Sequence, residues 1–568
     1  MDPESRIWIK SYDPFVEPDM KIPDVSFVGL MDRVFQDFAD RPACHFMGHT
    51  TTYAQLDLSS RKFAAFLAAA GLEKGDVVGI NLPNLPQYLI ALMGTLRAGC
   101  VQSGVSPLLT GKEIAEQLLD CGAKVLVTLD ALFEHRLTEV FEQMPTVTHL
   151  VAANLGEGMP FFKRTLGRLL KKIPSGRVGP VPGKTVVGFA DVLAHYPADR
   201  IEKDINQQDT CLIQYTGGTT GKPKGAELTH RNVVAAITHF QQWCDLEPGQ
   251  DVFLTGFPLF HIGGLFSGMG FLLNACPQVL IPDPRNTKHM VSEMARYQPT
   301  GMGNVPSLYQ MLLAEPGFNK LSFAHVKGLV SGAAPFSTET LQELEAVVGK
   351  GKISDIYGMT ETCATISMSP FRGRKKPGSV GVPMQNTRVK LADLDRGSSE
   401  VPRGEPGEVL VRGPQVMKGY YRRPEETAKA MREFQGETWF STGDIAVMDE
   451  DGFLTLVDRS KDMINVSGYK VFSNEVEEKI LAHPAVERCA LIGVDDRQRP
   501  GSEQVKAVIQ LKEQFRDQDQ SAIEQDLLRF CKKNMAAYKV PRIIQFTAAI
   551  PLTSVGKVDK KALRGRPA

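Results

Sequence analysis

The sequence lacks the cysteine patterns of a disulfide scaffold or a structural zinc site. Nine cysteines are scattered over 568 residues, with no C-x-x-C pair and no cysteine–histidine cluster at ligand spacing. Structural zinc needs closely spaced ligands, and disulfide frameworks belong to oxidising compartments. The pattern therefore predicts reduced thiols and a cytoplasmic location.

Charge of one sign is also missing. Lysine and arginine together number 65, aspartate and glutamate together number 65, and the formal net charge is zero. No whole-molecule field would draw such a chain onto nucleic acid or an anionic bilayer. We therefore expect no nucleic-acid partner, and any attraction to a membrane has to be local.

The sequence shows neither a secretion signal nor an uninterrupted membrane span. Residues 1–14 are acidic and contain proline, whereas a signal peptide needs a basic start and an apolar run. Residues 252–282 are uncharged and long enough to cross a bilayer, but prolines and glycines interrupt them. This stretch predicts a buried strand, a loop and a core helix.

Short apolar runs alternate with helix-like stretches through most of the chain. The runs at residues 77–80, 125–127 and 211–213 alternate with helical patterns at 61–70 and 86–98. Parallel sheets covered by helices produce this alternation, so the predicted fold class is α/β. A chain of 568 residues is also too long for one ordinary core.

The pattern of predicted strands and helices changes after residue 458. Strand patterns near 488–494 and 504–511 and a helical pattern at 521–534 indicate a second, compact unit. Residues 458–462 are charged and contain no large apolar side chain, which is typical of a domain boundary.

Residues 161–173 form a basic amphipathic pattern. Phe162, Leu166, Leu169, Leu170 and Ile173 recur at helical spacing, and basic residues occupy the other positions: Lys163, Arg164, Arg168, Lys171 and Lys172. Helices of this composition lie on anionic lipid. A surface helix packed on its own domain shares the same periodicity, so both interpretations stay open.

The strongest chemical motif is YTGGTTGKPKG at residues 215–225, between a strand-like and a helix-like stretch. Its glycines allow the backbone to approach an anion, while its threonine hydroxyls and Lys224 add donors and charge. It is not a Walker loop, because three residues separate Gly217 from Gly221 where four are required. The motif predicts a phosphate cradle, with a flexible turn as the alternative.

This segment resembles the phosphate-loop signature of the adenylate-forming superfamily, which contains acyl-CoA synthetases, firefly-type luciferases and peptide-synthetase adenylation domains. Further resemblances follow in the family's order over about residues 25 to 563. They are the acid-pocket motif at 257–264, the adenine and magnesium motifs at 331–335 and 355–362, the ribose motif at 441–444, the hinge and thiol-tunnel segment at 459–477, and the catalytic-lysine motif at 551–557.

The resemblance implies a fold and a division into domains. The expected fold is a large N-terminal α/β domain of parallel-rich sheets covered by helices, with a β-barrel-like subdomain and a small mobile α+β C-terminal domain. The implied bounds are residues 1–458 for the adenylation domain, 459–461 for the hinge, and 462–568 for the lid with the catalytic lysine.

The resemblance also implies the reactants and the nucleotide site. ATP, Mg²⁺ and coenzyme A as co-substrate are expected, with Tyr357 stacked on adenine, Asp355 accepting from its amino group, and Asp444 and Arg459 at the ribose. The implied ATP and AMP contacts are Thr216, Gly217, Gly218, Thr219, Thr220, Gly221, Lys224, Gly332, Ala333, Ala334, Pro335, Asp355, Ile356, Tyr357, Gly358, Met359, Thr360, Asp444, Arg459 and Lys557.

Four residues are implied in catalysis: Lys557, Glu361, Thr219 and His261. Joining a carboxylate to the α-phosphorus of ATP brings two anions together, so the site has to neutralise charge. Lys557 would bridge the carboxylate and the α-phosphate, and Glu361 would hold Mg²⁺. Considered alone, Lys557 is an ordinary solvated lysine and Glu361 an ordinary loop acid.

The second half-reaction needs a passage for the thiol of coenzyme A. In the superfamily the small domain rotates about one hinge residue, which corresponds to Lys461 here. The implied tunnel residues are Ser467, Gly468 and Lys470, and a glycine suits a narrow passage because it has no side chain.

The sequence leaves the acid itself open. Residues 439–453 and 458–468 are most similar to bacterial long-chain fatty acid:CoA ligases, so a medium- to long-chain fatty acid is expected. The apolar candidates for the acid pocket are His261, Gly263, Gly264, Val305, Pro306, Met359 and Val382, although His261 has a packed core histidine as its alternative. Residues 304–307 and 331–335 depart from the expected long-chain pattern, so an alicyclic, aromatic or other short apolar acid is the second candidate.

Other functions and assemblies remain as alternatives. The reaction could run in reverse to make ATP, and the chain could be a monomer or a homodimer. A carrier-protein-loading adenylation enzyme would need a downstream carrier domain, whereas the sequence ends at Ala568. A non-catalytic binding protein would have no need of Lys557, Glu361 and Asp444 together, and luciferase-like chemistry is the rarer use of the scaffold.

Overall fold

The computed structural model describes most of the chain. The described residues are 6–170, 173–199, 201, 203–216, 223–334, 336, 338–395, 397–467, 469–496, 499, 502–552 and 558–564. Some predicted site residues therefore lie outside the described residues: Gly217, Gly218, Thr219, Thr220, Gly221, Pro335, Gly468 and Lys557. Lys171 and Lys172 of the basic segment also lie outside them.

The strands are numbered in chain order. They are β1 (Pro42–Phe46), β2 (His49–Thr52), β3 (Val77–Asn81), β4 (Val101–Gly104), β5 (Val125–Leu129), β6 (His149–Ala153), β7 (Thr185–Gly188), β8 (Thr210–Tyr215), β9 (Gly225–Thr229), β10 (Phe253–Thr255), β11 (Gln278–Leu280), β12 (Gly301–Asn304), β13 (Gly328–Gly332), β14 (Ile353–Tyr357), β15 (Ser367–Met368), β16 (Val382–Pro383), β17 (Arg388–Ala392), β18 (Gly407–Arg412), β19 (Gly419–Tyr420), β20 (Met431–Phe434), β21 (Glu437–Met448), β22 (Leu454–Arg459), β23 (Ile464–Val466), β24 (Tyr469–Val471), β25 (Val486–Asp495), β26 (Glu503–Leu511) and β27 (Ile543–Phe546).

The helices are numbered in the same way. They are α1 (Phe27–Asp37), α2 (Tyr53–Ala69), α3 (Pro86–Arg97), α4 (Gly111–Cys121), α5 (Asp130–Leu132), α6 (Phe161–Leu169), α7 (Phe189–His195), α8 (His230–Trp243), α9 (Ile262–Leu273), α10 (Thr287–Tyr297), α11 (Pro306–Leu313), α12 (Thr338–Val348), α13 (Pro424–Ala430), α14 (Ser473–Leu481), α15 (Gln520–Asn534) and α16 (Lys560–Arg564). Short 3₁₀ turns cover Ile7–Ser11, Phe141–Gln143, Leu155–Gly158, Phe318–Lys320, Thr360–Thr362, Glu513–Phe515 and Ala537–Lys539, and a π-helical turn covers Phe133–Leu137.

Two large sheets dominate the N-terminal part. Within the described residues, nine strands form one sheet in the order β16-β15-β14-β13-β12-β10-β11-β1-β2, and its inner strands from β14 to β1 are parallel. Eight form the other, in the order β19-β9-β8-β4-β3-β5-β6-β7, with parallel pairing from β8 to β7. Strands β3 and β5 are buried along their whole length, as expected for parallel strands covered on both faces.

Local sequence explains where several helices begin. A capping box, with Thr52 and Gln55 bonded reciprocally, starts α2, and Thr229 and Asn232 do the same for α8. Proline occupies the first turn of α3, where its missing amide hydrogen costs nothing. Every residue of α3 and almost all of α9 is buried, and both helices contribute to one large hydrophobic core.

Two smaller sheet systems follow. Strands β17, β18, β21 and β20 form an antiparallel sheet to which β22 adds, and this sheet corresponds to the barrel-like subdomain. Strands β25, β26 and β27 form a separate sheet against which α14 and α15 pack, with a core that includes Val476, Ile480, Ile523 and Leu527. The predicted fold class is thus confirmed.

The uncharged stretch at residues 252–282 has the predicted organisation. It contains β10, a loop, the buried helix α9 and β11. Among the described residues, no helix combines the length and the apolar character that a bilayer crossing requires.

Candidate active site

The phosphate-loop segment connects two antiparallel strands. Tyr215 at the end of β8 pairs with Gly225 at the start of β9, and the Thr216 amide donates to the Lys224 carbonyl at 2.9 Å. The expected helix does not follow directly: β9 comes first, because its residues extend the ladder with β8, and α8 begins only at His230. The chain after the candidate cradle therefore enters β9, the antiparallel partner of β8, and not a helix.

A buried carboxylate lies beside the base of this hairpin. Glu361, in the 3₁₀ turn Thr360–Thr362, is 8% exposed, and its Oε1 accepts a 2.6 Å hydrogen bond from the Tyr420 hydroxyl. The Lys224 ammonium lies 4.5 Å from the centroid of the Tyr420 ring. Burial raises the pKa of Glu361, while the Tyr420 hydrogen bond and the Lys224 charge oppose that rise.

Sequence reasoning missed Tyr420. It belongs to β19, a strand of two residues, which is too short to show any periodicity. Only the antiparallel pairing of β19 with β9 places it beside Glu361.

The donor set around Glu361 suits Mg²⁺. Among the residues that the structure describes, no group of three or more histidine, cysteine, aspartate or glutamate side chains could enclose a metal. Mg²⁺ commonly takes one or two carboxylates and completes its shell with phosphate oxygens and water. Glu361 can supply that carboxylate next to the candidate phosphate cradle.

The expected nucleoside residues come together at the carboxyl ends of β13 and β14. These strands are parallel neighbours, with Gly332 opposite Ile356. The Tyr357 hydroxyl donates to Asp444 Oδ2 at 2.8 Å, and Asp444 Oδ1 pairs with Arg459 Nε at 3.1 Å. The structure thus links the candidate adenine and ribose residues into one contact set.

The turn that carries Glu361 is tightly constrained. A Cβ at Gly358 would overlap the backbone of Ala364, so the turn requires glycine there. The Met359 amide donates to Thr362 Oγ1 at 3.1 Å. Burial of the nearby Asp355 carboxyl raises its pKa to about 6, because desolvation disfavours the charged form.

Three of the expected acid-pocket residues, His261, Gly263 and Gly264, lie at the start of α9. His261 is the N-cap of α9, and its Nδ1 accepts from the Gly263 amide at 3.3 Å. A Cβ at Gly264 would overlap the carbonyl oxygen of Pro258, which gives this glycine a packing role. Met359 and Val382 pack in the same large hydrophobic cluster as Ile262.

The other two pocket candidates lie at the start of α11. Val305 is the N-cap of this helix and Pro306 is its first residue. A separate cavity of about 30 Å³ lies at the amino ends of β10, β12 and β13. Phe240, Phe253 and Phe271 line it together with Asp251 and Lys327, and none of the acid-pocket candidates does.

The predicted hinge is surrounded by ion pairs and hydrogen bonds. Lys560 Nζ donates to Ser473 Oγ at 2.6 Å and pairs with Glu477 at 2.7 Å, and Ser473 Oγ donates to Asp458 Oδ1 at 2.9 Å. Arg564 pairs with Asp462 at 2.8 Å and also donates to the Lys461 carbonyl. Helix α16 is therefore tied to the segment that includes Lys461.

The described tunnel candidates lie in the β23–β24 hairpin. Ser467 adopts a left-handed backbone, with φ of 52°, and its amide donates to Ser502 Oγ at 2.8 Å. Lys470 pairs with Asp395 of the β17–β18 connection at 2.6 Å.

This geometry agrees with a comparison against protein families. The model for AMP-binding enzymes matches residues 31–421, which is more than half of the chain. The chain belongs to the AMP-binding enzyme family. The model for the C-terminal domain of AMP-binding enzymes also matches, over residues 475–557, so the family's small domain is present too.

Individual members of the family are similar over nearly the whole chain. A long-chain-fatty-acid–CoA ligase of Escherichia coli O6:H1 is 35% identical, with 98% of each chain covered. The crystal structure of an anthranilate CoA ligase with anthranoyl-AMP aligns with a TM-score of 0.80 at 26% identity, covering 96% of this chain and 98% of that one. ATP-bound MatB from Rhodopseudomonas palustris aligns with a TM-score of 0.77 at 27% identity, covering 94% and 98%.

Proposed function

We propose that this chain is an AMP-forming carboxylic acid:CoA ligase. One observation carries the proposal. Lys224 and Glu361 both contact Tyr420 beside the phosphate-loop hairpin. A second contact set, at the carboxyl end of β14, consists of Tyr357, Asp444 and Arg459. Two such sets suit the triphosphate and the nucleoside of one ATP molecule. Similarity to CoA ligases over the full length supports the same assignment.

In the first step, the acid's carboxylate oxygen attacks the α-phosphorus of ATP. The bond between the α-phosphorus and the oxygen that bridges to the β-phosphate breaks, and pyrophosphate leaves. Lys224 and the loop amides hold the phosphates, and Lys557 bridges the two reacting anions. Mg²⁺ held by Glu361 would supply charge neutralisation at the phosphate oxygens.

In the second step, the thiol of coenzyme A attacks the acyl carbonyl of the adenylate. The carbon–oxygen bond to AMP breaks, AMP leaves and the thiol proton is released. Rotation about Lys461 would replace the Lys557 loop by the segment with Ser467, Gly468 and Lys470. One chain carries all of these residues, so a monomer and a homodimer are both compatible with the proposal.

The proposed substrate is a medium- to long-chain fatty acid. The fatty-acid ligase among the relatives supports this choice. The second candidate is an aromatic, alicyclic or other short apolar acid, and the similarity to an anthranilate CoA ligase favours it.

A panel of acids tests the proposal. Straight-chain acids of increasing length, benzoate and cyclohexanecarboxylate would be assayed for exchange of labelled pyrophosphate into ATP, and for AMP release with and without coenzyme A. We expect exchange with at least one acid and AMP release at multiple turnovers only with coenzyme A. Absence of exchange with every acid would contradict the ligase function, and a preference for the cyclic acids would select the second candidate.

We also propose a peripheral contact between α6 and anionic membranes. Phe161, Phe162 and Leu169 are 77%, 76% and 78% exposed, so these apolar side chains face solvent. Lys163 donates to the Met47 carbonyl at 2.9 Å, which ties the helix to the β1–β2 turn. An exposed apolar face with adjacent cations suits a bilayer that carries negative lipid.

Co-sedimentation with phosphatidylglycerol vesicles tests the contact. Replacing Lys163, Arg164 and Arg168 by glutamate should reduce binding by about 100-fold or more, because attraction near a charged bilayer is about 1 kcal/mol per cation. The control replaces Lys512, Lys532 and Lys533, which are exposed and lie in the C-terminal domain, for the same change in net charge. Equal binding by both triple variants would contradict a specific contact through α6.

A further inference from the structure

Strand β19 brings Tyr420 to the phosphate-loop hairpin. Tyr420 lies opposite Ala226 and Gly419 opposite Glu227 in an antiparallel pairing with β9. The Tyr421 amide donates to the Gly225 carbonyl at 2.8 Å, and the Tyr420 amide donates to Thr427 Oγ1 at 2.9 Å. The backbone of Tyr420 is therefore fixed on both sides, directly beside the residues that follow the loop.

The Tyr420 side chain contacts two opposite charges at once. It is 9% exposed, its hydroxyl donates to Glu361 Oε1 at 2.6 Å, and its ring lies 4.5 Å from the Lys224 ammonium. A carboxylate has lone pairs on both oxygens, so the Tyr420 bond to Oε1 leaves Oε2 available for a cation. The face of an aromatic ring attracts an ammonium group, which orients Lys224 without neutralising it.

We propose that Tyr420 is a positioning residue for magnesium-bound ATP, an inference that rests on the proposed ligase function. Glu361 and Lys224 carry opposite charges, and a direct ion pair would neutralise both and leave neither for the metal or the phosphates. With its hydroxyl on Glu361 and its ring on Lys224, Tyr420 fixes their separation. The carboxylate is then oriented for the metal and the ammonium for the triphosphate before ATP arrives.

Two substitutions separate the roles of the hydroxyl and the ring. Tyr420→Phe keeps the ring and removes the bond to Glu361, whereas Tyr420→Leu removes both contacts. Calorimetric titration with ATP, at fixed Mg²⁺ and without acid, should show about 10-fold weaker binding for Tyr420→Phe, as expected for one lost hydrogen bond to a charged group. Tyr420→Leu should bind more weakly still.

The matched control is Tyr421→Phe, the same change one residue further along the chain. It should bind ATP like the wild type, and thermal unfolding without ligand should show that both phenylalanine variants are folded. The concentration of Mg²⁺ for half-maximal pyrophosphate exchange should rise in Tyr420→Phe alone. Thioester formation from premade acyl-adenylate should change less than about 2-fold, because no triphosphate is bound in that step.

Three outcomes would overturn the positioning role. They are wild-type ATP affinity in Tyr420→Phe, an equal loss of ATP affinity in Tyr421→Phe, and an equal loss of both half-reactions in Tyr420→Phe. Calorimetry needs no acid, so this test can be read even if no acid supports pyrophosphate exchange. Failure of the ligase function and failure of the Tyr420 role are therefore distinguishable.

Discussion

At the residue scale, positions in and beside the candidate site carry unusual backbone geometry. Ala333, Cys363, Ala364 and Ser467 have φ values of 70°, 48°, 64° and 52°, in the left-handed region that favours glycine. Ala333 follows β13, Cys363 and Ala364 follow the turn that contains Glu361, and Ser467 is a tunnel candidate. Strain of this kind persists where the surroundings enforce it, and it is common at functional sites.

Lys557→Ala tests the residue assigned to the first half-reaction. We expect adenylation, measured by pyrophosphate exchange, to fall about 10²- to 10³-fold, as when a preorganised charge-stabilising donor is lost. Thioester formation from premade acyl-adenylate should be much less affected. Lys561→Ala is the control, because Lys561 is an exposed lysine four residues away. Equal losses in the two half-reactions of Lys557→Ala would contradict the assigned role.

The same added methyl group should have unequal effects on stability at Gly263 and at Gly264. A Cβ at Gly264 would overlap the Pro258 carbonyl, whereas a Cβ at Gly263 would meet His261 Nδ1 at 3.7 Å. Gly264→Ala should therefore lower the free energy of unfolding by about 1–3 kcal/mol, the usual cost of overpacking. Gly263→Ala should cost little. Thermal or urea unfolding measures both, and a similar change in the two variants would contradict the packing role of Gly264.

At the element scale, adjacent residues predicted some strands and helices, whereas elements that depend on distant contacts could not be predicted. The apolar runs of β3 and β5 and the helical pattern of α3 could be predicted from adjacent residues. The strand β9 could not, because its extended form depends on pairing with β8. The link from α16 to Asp458 through Ser473 was also invisible in the sequence, since about a hundred residues separate its ends.

Lys461→Pro tests the hinge as an element. Proline fixes φ near −65°, so rotation about this position should be blocked in one orientation. One half-reaction should stay near wild type and the other should be severely reduced, which single-turnover assays of each step can separate. Lys461→Ala keeps the backbone freedom and should support both steps. Equal activity of Lys461→Pro in the two half-reactions would argue against the hinge.

At the scale of the whole molecule, buried histidines couple stability to pH. Burial lowers the pKa of His230 and of His239 to about 4. The unfolded chain binds a proton near pH 6.5 that the folded chain does not bind, so stability is lost as pH falls from about 6.5 towards about 4. Each histidine accounts for about 2 kcal/mol between pH 7.5 and pH 5.

Denaturant unfolding of wild type and His239→Gln at pH 7.5 and pH 5 measures this coupling. Glutamine can retain a hydrogen bond to Asn386, which lies 3.0 Å from His239 Nε2, but it does not titrate. The variant should lose about 2 kcal/mol less than wild type on acidification. An identical loss in both proteins would show that His239 does not contribute.

The sequence by itself determined the α/β class, the order of the motifs and the kind of chemistry, because these depend on local patterns and on residue types that each step requires. Tertiary structure decided which of those residues meet. The Tyr420 hydroxyl contacts Glu361 across 59 positions of sequence, while its ring contacts Lys224. The Tyr357 hydroxyl contacts Asp444 across 87 positions. Such contacts arise from strand pairing and packing between distant segments, which no local pattern of residues encodes.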